Sequence, residues 1–554
     1  MISSQAADRG GGPVVTVDGT RRTWAHAAAL GILALGALGV ALAVLPYKTF
    51  DLDRFFVPKE LVLHAAAALA ALVLLARAPR LELTRVDTLL GAFLALSAVS
   101  ALLATNRWVA WRALAVSLSG AALYWSARAV ARAGWRDALL AVLSLGIWVA
   151  AVTALLQAYG VQSGFISINR APGGTLGNRN FVAHLAAIGT PALLLSTLGA
   201  RTRWGARVGG AAVVTLAAVL ALSRSRAAWL ALAAAAVIAI VAAVAAPRRW
   251  HGTVVAGRAR WLVGASALGV LAAVLLPNTL NWKSDSPYLD SVRGVVNYRE
   301  GSGHGRVLQY RNTVRLSSGH PVLGVGPGNW AVQYPTVASP NDPSLDTDDG
   351  MTANPWPSSD WMAFLSERGW TAFACLVLVF VGLGVGGLSA LTVDAAPGDF
   401  AQGLALVTTV MAAAVVGAFD ALLLLPAPAL LVWGLFGALS TRARPRAVIN
   451  LSSGRRLVAA LLVLALGLGA VWRSASQAAA MALVERDGRV PALERAAALD
   501  PGSYRIQMRL AELDARRGRC DAVRLRAGRA HALFPAAAAP RRLLAACGGR
   551  IRAR

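Results

Sequence analysis

Long apolar runs alternate with short polar breaks over most of this chain. Runs of spanning length, about 17 to 25 residues, fall near 25–46, 60–77, 88–104, 112–131, 137–159, 181–200, 207–223, 227–246 and 261–277. Four more lie near 370–391, 400–420, 421–440 and 457–472. Together they predict an all-α polytopic membrane protein of about 12–13 transmembrane helices. The division of 400–440 is the least defined, because Asp420 sits inside a nearly continuous apolar run. One interruption is far longer than the rest. It predicts a first transmembrane bundle over 25–277, a large external loop over 278–369 and a second bundle over 370–473, flanked by an N-terminal tail over 1–24 and a C-terminal tail over 474–554. A polar segment of that size cannot lie in hydrocarbon, where its backbone groups would lack partners.

Loop charge orients the bundle. Arg21 and Arg22 precede the first run, and alternate loops carry Arg77, Arg80 and Arg85; Arg128, Arg132 and Arg136; Arg201, Arg203 and Arg207; Arg248, Arg249, Arg258 and Arg260; and Arg442, Arg444, Arg446, Arg455 and Arg456. The N-terminus is expected in the cytoplasm, and the long loop and C-terminal tail outside. The loop at 392–399 fits this scheme least, because it should be cytoplasmic yet holds no basic residue.

Composition agrees with a membrane protein: 56% of the 554 residues are hydrophobic and the mean hydropathy is +0.56. The formal charge of +27 does not indicate a nucleic-acid partner, because most Lys and Arg before the tail lie in short loops between apolar runs. Cys375, Cys520 and Cys547 show no metal spacing. Cys375 falls in an apolar run, while Cys520 and Cys547 are free to pair if the tail is external. The tail is rich in Ala and Arg. Ala498-Leu-Asp-Pro501 and Ala532-Leu-Phe-Pro535 lie 34 residues apart, the tetratricopeptide period. An Ala-rich helical hairpin of no named family is the other reading. Either would suit a protein partner, and its positive charge suits anionic headgroups or glycans.

Chemistry on an external face lacks ATP, and Gly324-Val-Gly-Pro-Gly328 is a tight turn without the Lys-Ser/Thr of a phosphate loop. No nucleotide or metal cofactor is expected, and the acidic group Asp342, Asp346, Asp348 and Asp349 lacks EF-hand spacing. The substrate must arrive activated, as a polyprenyl-diphosphate sugar does. Its site needs cations at the membrane surface, a lipid groove and a base for the acceptor hydroxyl. Arg224 and Arg226 fall in a very short outer turn, and Arg306 and Arg311 begin a helical stretch of the long loop. Guanidinium planes match phosphate oxygens bidentately. Asn178 and Asn180 are candidates to bind substrate or to cap the next helix. Lys59, before the second run, is a candidate phosphate contact or interfacial anchor. Asp420 at membrane depth is a functional candidate or a buried hydrogen-bonding group.

The ordered set Gly174-Thr-Leu-Gly-Asn178-Arg-Asn180-Phe181, Ser225-Arg226-Ala-Ala-Trp229, Gly305-Arg306, His320-Pro-Val-Leu-Gly-Val-Gly-Pro-Gly-Asn329-Trp330 with Tyr334-Pro335, Phe364-Leu-Ser-Glu-Arg-Gly-Trp370 and Phe419-Asp420 with Pro426 resembles the O-antigen ligase superfamily, which includes O-antigen polymerases. The resemblance covers roughly 45–440. It implies transfer of a glycan from undecaprenyl diphosphate to a lipid, glycan or protein acceptor, with Arg226 and Arg306 on the diphosphate. A polysaccharide polymerase is the alternative within the superfamily. The family base is a His in a His-Asn-x-x-Leu pattern before the Glu-x-Gly, and that position is Ser358 here, followed by Ser359. Ser358 cannot serve as a base near neutral pH. His304 or His320 in the loop is one substitute, Asp360 another; a catalytically silent relative that binds lipid-linked glycan or scaffolds an envelope complex is the third reading. His26, His64 and His184 lie in or near spans and read as packed or hydrogen-bonded there.

Overall fold

The computed structural model describes residues 23–166, 171–246, 253–282, 284–294, 301–346, 349–391 and 396–548. Arg21, Arg22, Arg248, Arg249 and Asp348 lie outside them. The first bundle comprises α1 (Trp24–Leu42), α2 (Asp53–Leu75), α3 (Arg85–Leu102), α4 (Arg107–Val130), α5 (Arg136–Ala158), α6 (Arg179–Leu198), α7 (Arg203–Ser223), α8 (Arg226–Ala245) and α9 (Thr253–Leu275). The long loop carries α10 (Pro287–Arg293), α11 (Gly301–Gly319) and the single turn α12 (Trp330–Gln333). After it come α13 (Asp360–Leu388), α14 (Pro397–Phe419), α15 (Pro426–Leu439) and α16 (Ser453–Arg486), then α17 (Val490–Leu499), α18 (Tyr504–Arg516), α19 (Cys520–Leu533) and α20 (Ala538–Ala546). Strands β1 (Arg80–Leu83) and β2 (Ala447–Asn450) pair antiparallel. The chain is thus an all-α polytopic membrane protein. Eleven apolar helical stretches among the described residues are long enough to cross a bilayer; one of them contains both α4 and α5, and α15 is a shorter apolar helix besides.

Helix α15 is the centre of the core. All 14 of its residues are buried, and it touches α1, α2, α4, α5, α6 and α14. It is shorter than the run at 421–440 suggests. Pro426 stands at its first turn, where a missing N–H costs nothing, and residues 420–425 enter without helical structure. Their backbone is satisfied by Asp360, whose carboxylate accepts from Leu422 N (2.9 Å) and Leu423 N (2.8 Å). Non-helical backbone at this depth is tolerable because it is buried in protein and hydrogen-bonded.

The two ends of the bundle separate the loops as their charges alternate. At one end β1 and β2 join the basic loops 77–85 and 442–456, and Arg132 reaches Thr441 O, Ala443 O and Glu82. Asp399, in the first turn of α14, comes to this end too and pairs with Arg442 of the neighbouring loop. At the other end lie the long loop and the tail. Helix α16 runs unbroken through the expected boundary at 473–474, because Ser474-Ala-Ser-Gln-Ala478 has nothing that stops a helix. Its 34 residues rise about 50 Å, more than hydrocarbon requires, and carry the tail beyond the bundle. The tail folds back onto the loop ends: Trp108 Nε1 donates to Asp500 Oδ1 (2.6 Å), Tyr504 Oη to Asp349 Oδ2 (2.6 Å) and Asn106 Nδ2 to Leu533 O (3.3 Å). Burial, and the bond to Asp349, raise the Tyr504 hydroxyl well above the ordinary tyrosine range.

Cys520 and Cys547 form a disulfide that closes α19 onto the end of α20, while Cys375 is a free thiol. The bridge spans 27 residues, and in the chain-entropy account its loss costs the tail roughly 3 kcal/mol. Denatured without reductant, the protein is expected to take up a maleimide label at Cys375 alone, and at all three cysteines after reduction. Labelling of Cys520 and Cys547 without reductant would place the tail on a reducing face.

Candidate functional site

A cavity of about 430 Å³ opens where α6, the α7–α8 turn, α10, α11 and the end of α14 meet. Its wall holds Arg179, Arg224, Arg226, Arg306, His184 and Asp420, with Asn180, Ser225, Ala227, Asp290 and Ser291. Each comes from a local feature of the sequence. Arg224 ends α7 in the left-handed region, φ 53°, and is the single non-glycine residue with positive φ among those described. Ser225 then turns to extended backbone and starts α8. The two-residue turn therefore presents Arg224 and Arg226 to the same space. Gly177, at φ 79°, turns the chain before α6; a Cβ there would lie 2.6 Å from the Phe55 ring. Asn178 then caps α6, its side chain accepting from Asn180 N at 3.0 Å. The N-termini of α6 and α8 both end at the cavity, and each adds a positive dipole end.

Four guanidinium groups thus face two carboxylates, Asp290 and Asp420. Arg226 donates to Gly294 O. Arg224 donates to Pro287 O (3.3 Å) and stacks 3.9 Å over the Trp282 ring. Burial first, and Arg179 second, hold the Arg224 guanidinium below its ordinary value. Asn180 Nδ2 donates to Asp420 Oδ2 (3.3 Å), and Asp420 Oδ1 accepts from Ala421 N (2.8 Å). His184 is buried, with Nε2 3.3 Å from Ser225 Oγ. The excess of fixed cations, on two helix N-termini, fits a ligand with at least two phosphate charges.

The structure brings together Arg224, Arg226, Arg306, Asn180 and Asp420 from the residues singled out in the sequence. It sets others apart. Lys59 is 1% exposed and donates to Ala43 O (2.5 Å) and Thr175 O (2.9 Å), so its ammonium ties backbone carbonyls of two segments and lies off the cavity wall. Asn178 is the helix cap. His304 and Arg311 are exposed on α11 and lie outside the cavity wall. The reason is helical phase: two residues from Arg306 is about 200° around the axis and five is about 140°. The glycines at 301, 303 and 305 read as a turn, yet they lie in α11. His320 follows α11, with Nδ1 3.2 Å from Leu316 O. Asp360 spends both oxygens on Leu422 and Leu423. Ser358 is off the cavity wall; its N–H donates to Gln309 Oε1 and its carbonyl accepts from Tyr310 Oη, each at 2.7 Å.

Arg179, Asp290 and Ser291 line the cavity without having been singled out in the sequence, and His184, read there as packed or hydrogen-bonded, is buried and hydrogen-bonded on the same wall. A signal existed: Asn180 and His184 are spaced i, i+4 on one helix, so they share a face beside Arg179. Glu367 and Arg368 also prove structural. Glu367 Oε1 accepts from Trp330 N (3.3 Å), and Arg368 donates to Ser97 Oγ (3.1 Å) and Ser117 Oγ (2.8 Å) between the Phe93 and Phe364 rings.

No curated protein matches the chain. Residues 211–377, which run from α7 into α13 and contain Arg224, Arg226 and Arg306, match the family model described as O-Antigen ligase, and this match supports the O-antigen ligase superfamily for the protein.

Proposed function

We propose that this protein transfers a glycan from a polyprenyl-diphosphate carrier, of the undecaprenyl type, to an acceptor hydroxyl at the outer face of the bacterial inner membrane. The convergence of Arg226 and Arg306 with Arg179 and Arg224 in one cavity carries the reading. The acceptor oxygen attacks the anomeric carbon and the diphosphate leaves with the bonding electrons. The leaving group gains negative charge in the transition state, where fixed guanidiniums stabilise it most. Neighbouring α8 and α9 keep most of their apolar surface outside the protein core, which leaves lipid-facing helices beside the cavity for the polyprenyl chain.

The test is a reconstituted transfer assay with purified carrier-linked glycan and lipid, glycan or protein acceptors. The expected result is glycan on the acceptor and free carrier diphosphate, without nucleotide. Product chains that grow by repeat units would make the protein a polymerase; single transfer would make it a ligase. Ser358 at the family histidine position favours a second reading, a silent relative that holds lipid-linked glycan. That reading expects carrier binding with no turnover, and the appearance of turnover in Ser358→His.

A further inference from the structure

The cavity holds an imidazole and a hydroxyl that a grip on diphosphate leaves unused. His184 is 1% exposed and Ser225 4%, yet both line the cavity. His184 Nε2 meets Ser225 Oγ at 3.3 Å, and Nδ1 has no hydrogen-bond partner among the described residues. An orphaned buried polar nitrogen costs about 1–3 kcal/mol, so packing alone gives no reason for a histidine here. The other ionisable groups of the wall suit proton transfer less. Four are guanidiniums, which do not release their proton near neutral pH. Asp420 has both oxygens engaged, by Asn180 Nδ2 and by Ala421 N. Asp290 accepts from Ser284 Oγ.

We infer that His184, acting with Ser225, takes the proton of the acceptor hydroxyl, and so fills from a membrane helix the role that Ser358 cannot fill from the loop. The inference rests on the transferase reading above. In the reacting tautomer Nδ1 carries the imidazole proton and Nε2 faces Ser225 Oγ. The acceptor oxygen bonds to the anomeric carbon as the bond from that carbon to the diphosphate oxygen breaks, and the electron pair leaves on the diphosphate. The acceptor proton passes to Ser225 Oγ while the proton of Ser225 passes to Nε2. Ser225 ends neutral, His184 ends as imidazolium, and the departing diphosphate carries the matching negative charge. The charged groups that share the cavity wall with His184 are Asp420 at the end of α14, Asp290 on α10, Arg306 on α11, Arg224 and Arg226 at the α7–α8 turn, and Arg179 on α6 itself. Helices α5, α9 and α15 also pack on α6, and their sequences place no ionisable residue at that end.

The experiment uses the full-length protein in liposomes with carrier-linked glycan and acceptor. His184→Gln is expected to lower turnover about 100-fold and to leave carrier affinity within about threefold of wild type. The acid limb of the wild-type pH–rate profile should vanish in that variant. Added imidazole should restore turnover at least about tenfold in His184→Gly, a rescue that a packing role would not show. Ser225→Ala should lower turnover about tenfold and serves as the second test if either histidine variant misfolds. Turnover of His184→Gln within threefold of wild type, with an unchanged pH profile, overturns the inference alone. Parallel loss of carrier binding and turnover, with no imidazole rescue, also overturns it. A wild-type protein that binds carrier and never transfers would overturn the transferase reading and this inference with it.

Discussion

Replacement of Arg306 by Ala is expected to lower glycan transfer by about 10²–10³-fold, and Arg226→Ala by a similar factor, through the turnover step more than through carrier affinity. The two residues reach the cavity from different elements, α11 and α8, so each anchors a different side of the space a diphosphate would fill. Either loss leaves three guanidiniums on the wall. These still hold the ground-state phosphate charges, and the deficit appears where charge grows on the leaving oxygen. Lysine at either position should recover part of the loss at most, because an ammonium supplies a point charge without the planar fork that meets two phosphate oxygens. The double variant should fall below either single one but by less than the product of the two losses, since both residues act on one group. Arg311→Ala, on the exposed side of α11, is the matched control and should stay within about twofold of wild type. Steady-state rates in the reconstituted assay, with carrier binding measured separately, check this. Wild-type turnover in both alanine variants would remove the cavity from the mechanism.

The span pattern was legible because hydrocarbon imposes one requirement, a long apolar helix, that the sequence expresses directly. The turn Leu222-Ser-Arg-Ser-Arg226 was legible for a related reason: two arginines in a break too short for a loop must end near each other. Burial was not legible. Lys59 looks interfacial in Val57-Pro-Lys-Glu60, and only packing shows that α2 turns it inward onto Ala43 O and Thr175 O. His184 reads in the sequence as packed or hydrogen-bonded, and it is both; its place on the cavity wall was not legible. An isolated polar residue in an apolar run reads as packed, and what made it part of a site was Ser225, 41 residues away. The place of His304 was not legible either, since its phase relative to Arg306, which sets it off the cavity wall, follows only once α11 is known to begin at Gly301. The seam at 420–425 failed on context, because Asp360 caps it from another helix.

Gly369→Ala should be severely damaging although it lies outside the cavity. Helix α13 breaks at this residue, where φ is 81° and ψ is 167°, a region that side chains avoid at a cost of about 1–3 kcal/mol. Space forbids the change as well: a Cβ would lie 2.2 Å from Val322 O and 2.8 Å from Leu323 N, both backbone atoms that cannot rotate away. The close approach has a purpose. Residues 321–326 lie across the break, with Val325 N donating to Ser366 O (2.9 Å), Gly326 N to Glu367 O (2.8 Å) and Trp370 N to Pro321 O (2.8 Å). Trp370 Nε1 then holds Ser317 Oγ at 2.7 Å, which fixes the far end of the helix that carries Arg306. Strain and clash together should destabilise the purified protein by on the order of 3 kcal/mol or more and loosen α11, so that transfer falls with stability. Gly384→Ala, in the same helix with nothing within 4 Å of its added Cβ, should be neutral or slightly stabilising, since alanine is the better helix former. Thermal unfolding of both variants in one detergent decides it. An unchanged midpoint for Gly369→Ala would mean that the break in α13 does not hold the loop, and the stability of the cavity would then need another source.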